Sequence, residues 1–179
     1  MKVIAETVAV AVQSKRAAIK FIRAGEKTST QHIKFSRLSN ANDWEIRADL
    51  EKRLKFPEEI IETALRPDII VFSTSTKQII MLELTIEWEE NFLVANERKL
   101  LKYEPLVDQS QRKGWRASCY PIEVGCRGFV GNSLSRVMTN LGITGSARRK
   151  AIKRVIEAAE KASKWLWILR KNSWKTYKN

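Results

Sequence analysis

Two carboxylates stand in an otherwise apolar stretch, RPDIIVFSTSTKQIIMLELT from Arg66 to Thr85: Asp68 near its start and Glu83 near its end. The aliphatic runs on either side of the polar STSTK read as two buried strands joined by a turn. A turn centred on Ser75 and Thr76 sets an antiparallel register in which paired residue numbers add to 151, and Asp68 and Glu83 complete such a pair. Directly opposed residues share a face, with side chains starting roughly 4.5 to 5.5 Å apart, and like charges there are unfavourable. The flanking Ile69, Ile70, Val71, Ile80, Met81 and Leu82 are apolar on both faces, so water is a poor screen. Three remedies are open: one acid keeps its proton, a basic side chain such as Arg66 or a lysine inserts, or a divalent cation bridges the pair. The cation is the remedy that carries function; the basic contact is structural.

The segment after the hairpin supplies a second charged group. At 100° per residue, Phe92, Leu93, Leu100, Tyr103, Leu106 and Val107 form an apolar arc, with Asn96 and Lys99 inside it and Lys102 at its edge. A lysine on the sheet-facing side costs desolvation unless it meets an anion. Lys99 therefore either faces the carboxylate pair or runs its stem along the apolar surface to water.

Periodicity gives the elements that must position these groups. From Val3 to about Gly25, Val8, Ala9, Val12, Ala18, Ile19 and Ile22 recur at helical spacing, and the polar link EKTSTQHIK follows. In DWEIRADLEKRLKFP, Trp44, Ile46, Ala48 and Leu50 alternate with Glu45, Arg47, Asp49 and Glu51, the period of a half-buried strand. After the hairpin, EENFLVANERKLLKYEPLVDQSQRKG reads as a helix bent at Pro105 and closed at Gly114. A fourth strand, WRASCYPIEV, precedes a turn punctuated by Gly125, Gly128 and Gly131, a short helix SLSRVMTNLG, and a long helix ARRKAIKRVIEAAEKASKWLWILRK capped by Ser146. This order predicts a single α/β domain with a mixed sheet of about four strands flanked by helices. Its core covers about 1–130, a basic helical extension 131–171 and a frayed tail 172–179.

Bulk properties agree with one domain: 179 residues and 44% hydrophobic content suffice for an ordinary core. Thirty-three Lys and Arg against 20 Asp and Glu give a formal charge of +13 and a pI near 10.0, which favours a polyanionic partner such as nucleic acid or an anionic membrane surface. Two cysteines, Cys119 and Cys126, and one histidine, His32, are too few for a disulfide scaffold or a four-ligand zinc site and read as reduced chemistry in an intracellular protein. No apolar run approaches the ~20 residues of a membrane span, and MKVIAETVAVAVQS has Glu6 inside its apolar part, against a signal peptide.

Pro67-Asp68, then fourteen residues, then Glu83-Leu84-Thr85 resembles the signature of the PD-(D/E)xK restriction-endonuclease-like superfamily, in the form used by the endonuclease domain of site-specific non-LTR retrotransposons. The blocks DWEIRADLEKRLKFP, LRPDIIVFS, ELTIEWEEN, ERKLLKYEPL and IEVGCRGFVGNSL, in order across roughly Asp43 to Arg170, are similar to retroelement-derived proteins of animal genomes. The resemblance implies a restriction-endonuclease-like core that hydrolyses DNA phosphodiester bonds with Mg²⁺ or Mn²⁺ held by Asp68 and Glu83. It implies a nuclear protein, part of a larger reverse-transcriptase polyprotein in intact relatives. Where the motif lysine follows Glu83-Leu84 this chain has Thr85. Some members supply that lysine from the next helix, and Lys99, then Lys102, with Tyr103 beside them, fit that substitution. Asp49 is a further candidate metal ligand or a solvated strand acid. Glu123 and Arg127, bracketing EVGCRG, read as a site-facing acid and a phosphate clamp, or as a turn ion pair. The upstream basic-His-Asn element of these endonucleases has no counterpart: the chain begins at Met1-Lys2-Val3, just after its place, and His32 does not match it. Two expectations follow from the resemblance, an active endonuclease and a catalytically inactive nucleic-acid-binding relic of the same fold.

On the last helix, Ile152, Val155, Ile156, Ala159, Leu166 and Leu169 make a buried stripe, while Arg148, Arg149, Lys150, Lys153, Arg154, Lys161 and Lys164 make a basic face. Such a strip suits DNA phosphates; a solvated lysine-rich helix, or an interaction module whose charge only keeps it soluble, are the bland alternatives. Trp165, Trp167 and Trp174 either stack on exposed bases or pack the helix.

Overall fold

The register expected for Asp68 and Glu83 is the one around which the sheet is built. A computed structural model describes residues 1–14, 36–50 and 54–173. Strands β1 (Glu45–Ala48), β2 (Ile69–Ser73), β3 (Gln78–Glu87) and β4 (Arg116–Gly125) form one sheet in the order β1-β2-β3-β4. β2 and β3 pair antiparallel with Ile69 opposite Leu82 and Ile70 opposite Met81, numbers that add to 151. β1 continues the antiparallel meander on one side, with Ile46 opposite Val71. β4 runs parallel to β3 on the other, with Glu83 opposite Pro121 and Thr85 opposite Glu123. A parallel neighbour needs a crossover, and helix α2 (Phe92–Arg112) provides it. Pro121 sits within β4, where an edge strand tolerates its missing N–H.

Alternation along the strands sends side chains to two cores. Ile69, Val71, Ile80, Leu82, Ile122 and Val124 pack with Trp44 and with helices α1 (Lys2–Ser14), α3 (Asn132–Asn140) and α4 (Gly145–Ser173). Ile70, Phe72, Ile79, Met81 and Ala117 pack with Tyr103 and Leu106 of α2 and with Phe56, Ile60 and Ile61. The α/β class and the mixed four-stranded sheet therefore stand, with helices on both faces as strands buried on both sides require.

Four details depart from the periodicity. Leu50 is exposed, because β1 stops at Ala48 and the chain turns away with Leu50 N–H bonded to Ala48 C=O. The buried row of α2 is Ala95, Tyr103, Leu106 and Ser110, and Leu93 is 71% exposed. Asn96 and Lys99 keep the sheet-facing side, as their place inside the arc implies, and meet the sheet where it presents carboxylates and not aliphatic side chains. Ser146 lies within the first turn of α4, which starts at Gly145, and the Thr144 carbonyl accepts Arg148 N–H. Leu166 and Leu169 are 70% and 50% exposed. With 29 residues α4 is about 43 Å long, whereas the ten residues of β3 span roughly 33 Å, so its last turns have no sheet beneath them. α2 runs unbroken through Pro105 and ends at Arg112, with Lys113 as its C-cap before Gly114 with φ +81°. The expected helix beyond Ser14, the link containing His32, and Trp174 lie outside the described residues.

The β2–β3 turn is clamped from outside the hairpin. The Asp43 carboxylate accepts hydrogen bonds from Ser73 Oγ (2.7 Å), Thr74 Oγ1 (3.1 Å), Ser75 N–H (2.8 Å) and Ser75 Oγ (2.6 Å). These donors hold the Asp43 carboxyl far below the usual carboxylate range, those of Ser75 most strongly. A depressed carboxylate contributes stability that is complete above its unfolded pKa, about 3.9, and is lost as pH falls below that. Asp43→Ala is accordingly expected to lower the melting temperature at pH 7, with the gap to wild type narrowing below about pH 4; thermal unfolding followed by circular dichroism across pH 2 to 7 checks this.

Candidate active site

Asp68 stands immediately before β2, and its N–H donates to Glu83 Oε2 at 3.1 Å while Leu84 N–H donates to Asp68 Oδ2 at 2.7 Å. Each carboxylate thus caps the backbone of the opposite strand. The two acids are cross-strand partners, on the sheet face that α2 covers. Glu83 is 3% exposed and Asp68 half-buried. Asp49 N–H donates to the Asp68 carbonyl at 2.8 Å, tying the end of β1 to the same point.

Helix α2 brings the cation. Lys99 Nζ lies 2.6 Å from Glu83 Oε1, so the lysine meets the anion and does not run past it to water. Tyr103, one turn further, donates its hydroxyl to the Arg66 carbonyl at 2.9 Å and so fixes α2 against the chain entering Asp68. Lys102 is an exposed residue whose ammonium turns back to Tyr103: its Nζ contacts Tyr103 Oη at 3.1 Å and lies 4.7 Å from that ring's centre. A basic side chain, one of the three remedies for the opposed acids, is therefore present. Lys99 pairs with Glu83, and the Asp68 carboxyl is raised above its ordinary range, by burial first and by the Glu83 charge second. Leu84 N–H, Lys99 and the Met1 amino group oppose that rise without cancelling it. The same negative potential reaches further: burial and then Glu83 raise the Tyr103 hydroxyl and push the Cys119 thiol up to about 12.

Beyond Glu83 the polar row continues. Thr85 and Glu123 face each other across β3 and β4, both buried. Glu123 Oε1 accepts Asn96 Nδ2 at 2.7 Å, while Thr85 Oγ1 is buried with no hydrogen-bond partner among the described residues. Asp49 uses Oδ1 to accept Leu54 N–H at 3.1 Å, capping the chain that leaves β1. Among the described residues, no three Asp, Glu, His or Cys side chains converge as a ligand group, so Asp49 and Glu123 do not join Asp68 and Glu83 in one. Glu123 and Arg127 do not pair with each other. Arg127 is bonded to Glu89, through Nη2 at 2.5 Å and Nε at 3.2 Å, and its guanidinium lies over Trp88.

The basic residues of α4 belong to the opposite layer. α4 packs through Ala151, Val155 and Ala159 on the face shared with α1 and α3, so Arg149, Lys150, Lys153 and Arg154 are exposed there and not beside Glu83. Arg154 is held by Glu6 at 2.8 Å, Arg148 by Thr139 Oγ1 at 2.9 Å, and Lys153 lies 3.9 Å from Glu157. Sequence reasoning placed Asn96 within the helix arc without a role; its three-residue offset from Lys99 was the available signal that it shares the sheet-facing row. Nothing in the pattern pointed to Trp88 or to Asp43. No helix among the described residues is long and apolar enough to cross a membrane.

Set against protein-family models, curated proteins and solved structures, the chain gives no match in any of the three comparisons.

Removing Lys99 strands Glu83 as a buried, unpaired charge. Lys99→Ala is expected to cost about 3 kcal/mol, with most of that recovered in the double variant Lys99→Met, Glu83→Gln; urea unfolding of the three proteins checks it. Asp68 carries the opposite sign. A carboxyl whose folded pKa is raised makes the native state bind more protons, so its penalty grows as pH rises from about 4 through the raised value. Asp68→Asn is expected to raise the melting temperature at pH 7.5 and to leave it unchanged at pH 4, as measured by thermal unfolding at the two pH values.

Proposed function

We propose that this chain is a retroelement-derived, metal-dependent DNA endonuclease with a restriction-endonuclease-like core. The observation that carries the reading is the trio on one buried face: Asp68 and Glu83 opposed across the β2–β3 pair, and Lys99 from α2 with its ammonium 2.6 Å from Glu83. The mixed four-stranded sheet flanked by helices supports the proposed core.

The residues present fit Mg²⁺ or Mn²⁺. Two carboxylates offer hard oxygen donors, the set that Mg²⁺ takes together with water. The unpartnered Thr85 Oγ1 adds a polar oxygen on the same face. Asp68 and Glu83 would hold the ion, which when bound supplies Lewis-acid stabilisation of a phosphodiester undergoing in-line hydrolysis. Lys99 takes the role that Thr85 cannot fill: released from Glu83, its ammonium orients the attacking water or balances phosphate charge. Tyr103 keeps α2 in register with Asp68, and Asn96 holds Glu123 beside the same row. DNA is the proposed partner, consistent with the +13 charge, and a nuclear location follows from that partner.

A second reading has its own observation. Asp68 Oδ2 and both Glu83 oxygens already accept hydrogen bonds, from Leu84 N–H, Asp68 N–H and Lys99. A site closed on itself in this way is what a DNA-binding relic without activity would keep.

A supercoiled-plasmid nicking assay with Mg²⁺ or Mn²⁺, run beside Mn²⁺ calorimetry, separates them. For the endonuclease, wild type nicks and binds Mn²⁺, Asp68→Ala and Glu83→Ala do neither, Lys99→Ala nicks about 100-fold more slowly, and Lys102→Ala stays within a few-fold of wild type. Wild-type protein that binds DNA but neither takes up Mn²⁺ nor nicks leaves the relic.

A further inference from the structure

The last turns of α4 carry more apolar surface than the body of the protein covers: Trp165, Leu166, Trp167, Ile168 and Leu169 are all exposed. Part of that surface is concave. A cleft of about 730 Å³ opens between the end of β3 and the β4–α3 turn on one side and α4 on the other, with Trp88, Arg127, Lys164, Trp167 and Arg170 among its lining. Its walls are fixed by contacts. Arg127 is bonded twice to Glu89, Gly125 N–H donates to Phe129 C=O at 2.6 Å, and Gly128 N–H donates to Gly125 C=O at 2.9 Å. The Glu160 carboxylate of α4 lies where any side chain at Gly128 would stand, and Gly128 has φ +85°. The turn is therefore shaped to seat α4 against it.

The chemistry of the lining selects the occupant. Each indole carries a guanidinium: Arg127 lies 5.3 Å from the Trp88 ring centre and Arg170 lies 5.8 Å from that of Trp167. Lys164 and Arg170 have no carboxylate within salt-bridge distance among the described residues. Flat aromatic faces flanked by uncompensated cations suit a ligand that is itself flat and anionic, repeated at short intervals. A nucleic acid strand is such a ligand, and only unpaired bases offer their faces. An aliphatic peptide gains nothing from the cations, and a membrane-bound helix presents its apolar residues on a convex face and not across a cleft.

We propose that this cleft binds an unpaired stretch of nucleic acid, with bases against Trp88 and Trp167 and phosphates on Lys164 and Arg170. It shares the nucleic-acid partner with the proposed function and is independent of Asp68 and Glu83, which face the α2 layer.

The test is fluorescence anisotropy of a fluorescein-labelled (dT)₁₂ strand titrated with the full chain. Trp88→Ala and Trp167→Ala are each expected to weaken binding about 10-fold, within the roughly 5- to 150-fold range of one lost base stack; the Phe variants recover most of it. Trp165→Ala, exposed but outside the cleft, leaves the affinity unchanged. A 12-base-pair duplex competes poorly with the strand. Equal affinity of both alanine variants and wild type, equal competition by the duplex, or quenching of tryptophan by phosphatidylserine vesicles and not by (dT)₁₂ overturns the proposal. Wild-type protein that nicks plasmid while both tryptophan variants keep full (dT)₁₂ affinity overturns the cleft alone, and protein whose (dT)₁₂ binding depends on both tryptophans but that neither takes up Mn²⁺ nor nicks overturns the endonuclease reading alone.

Discussion

Because residue numbers in the β2–β3 pair add to 151, Asp68 and Glu83 oppose each other across a hairpin buried on both faces, and their like charges must be offset from within the protein. Much of the surrounding structure answers that requirement. α2 turns a lysine toward the sheet, Tyr103 anchors the helix to the chain entering Asp68, and Leu84 N–H stabilises the carboxylate that burial disfavours. The offset is partial, as the raised proton affinity of Asp68 records. A fold selected for stability alone has a simpler solution, replacement of the acids by aliphatic residues of similar volume. Keeping them has the character of a functional site, where local rules of burial are broken for chemistry.

The hairpin was legible in the sequence because everything needed to set its register is local: two short aliphatic runs and one polar turn between them. The phase of α2 was only partly so. Counting hydrophobic residues put Leu93 and Leu100 on the buried arc with Tyr103 and Leu106, whereas the helix buries Ala95 and Ser110 beside the latter two and turns both leucines to solvent. Periodicity assumes that the surface to be covered is apolar throughout, and here its end carries Glu83 and Glu123. The same count put Asn96 and Lys99 inside the arc, and charge logic gave Lys99 its anion. The same dependence on distant structure explains Leu166 and Leu169, whose exposure follows from the length of the sheet beneath α4 and not from their own spacing. Asp43 was silent for a related reason: it lies 30 residues before the Ser73 hydroxyl it binds.

The layers separate two surfaces that the sequence alone had gathered into one. The carboxylates face α2, while the exposed arginines and lysines of α4 lie across the sheet with α1 and α3. If DNA reaches both, it passes around an edge of the sheet rather than lying in one groove. The β3–β4 edge is where such a path runs, since the β4–α3 turn, Trp88 and the far end of α4 meet there. Part of the basic strip is also internally compensated, with Arg154 committed to Glu6, so its free positive charge rests on Arg149, Lys150 and their neighbours more than on the formal charge of the helix.

Thr85 is the residue around which the candidate site differs most from its expected pattern, and its surroundings give the difference a physical basis. A side chain at 85 stands opposite Glu123, two residues along the same face from Glu83. A lysine there would have had Glu123 as its nearest cross-strand acid. With threonine in place, Asn96 satisfies Glu123, and Lys99, three residues later on the same helix row, is left to Glu83. Moving the cation from strand to helix thus requires a second polar residue on α2 and leaves one hydroxyl, Thr85 Oγ1, without a partner. That orphan is the cost of the arrangement, about 1 to 3 kcal/mol for a buried unpaired polar group. It is a cost the fold has reason to carry only where the oxygen finds a partner during function.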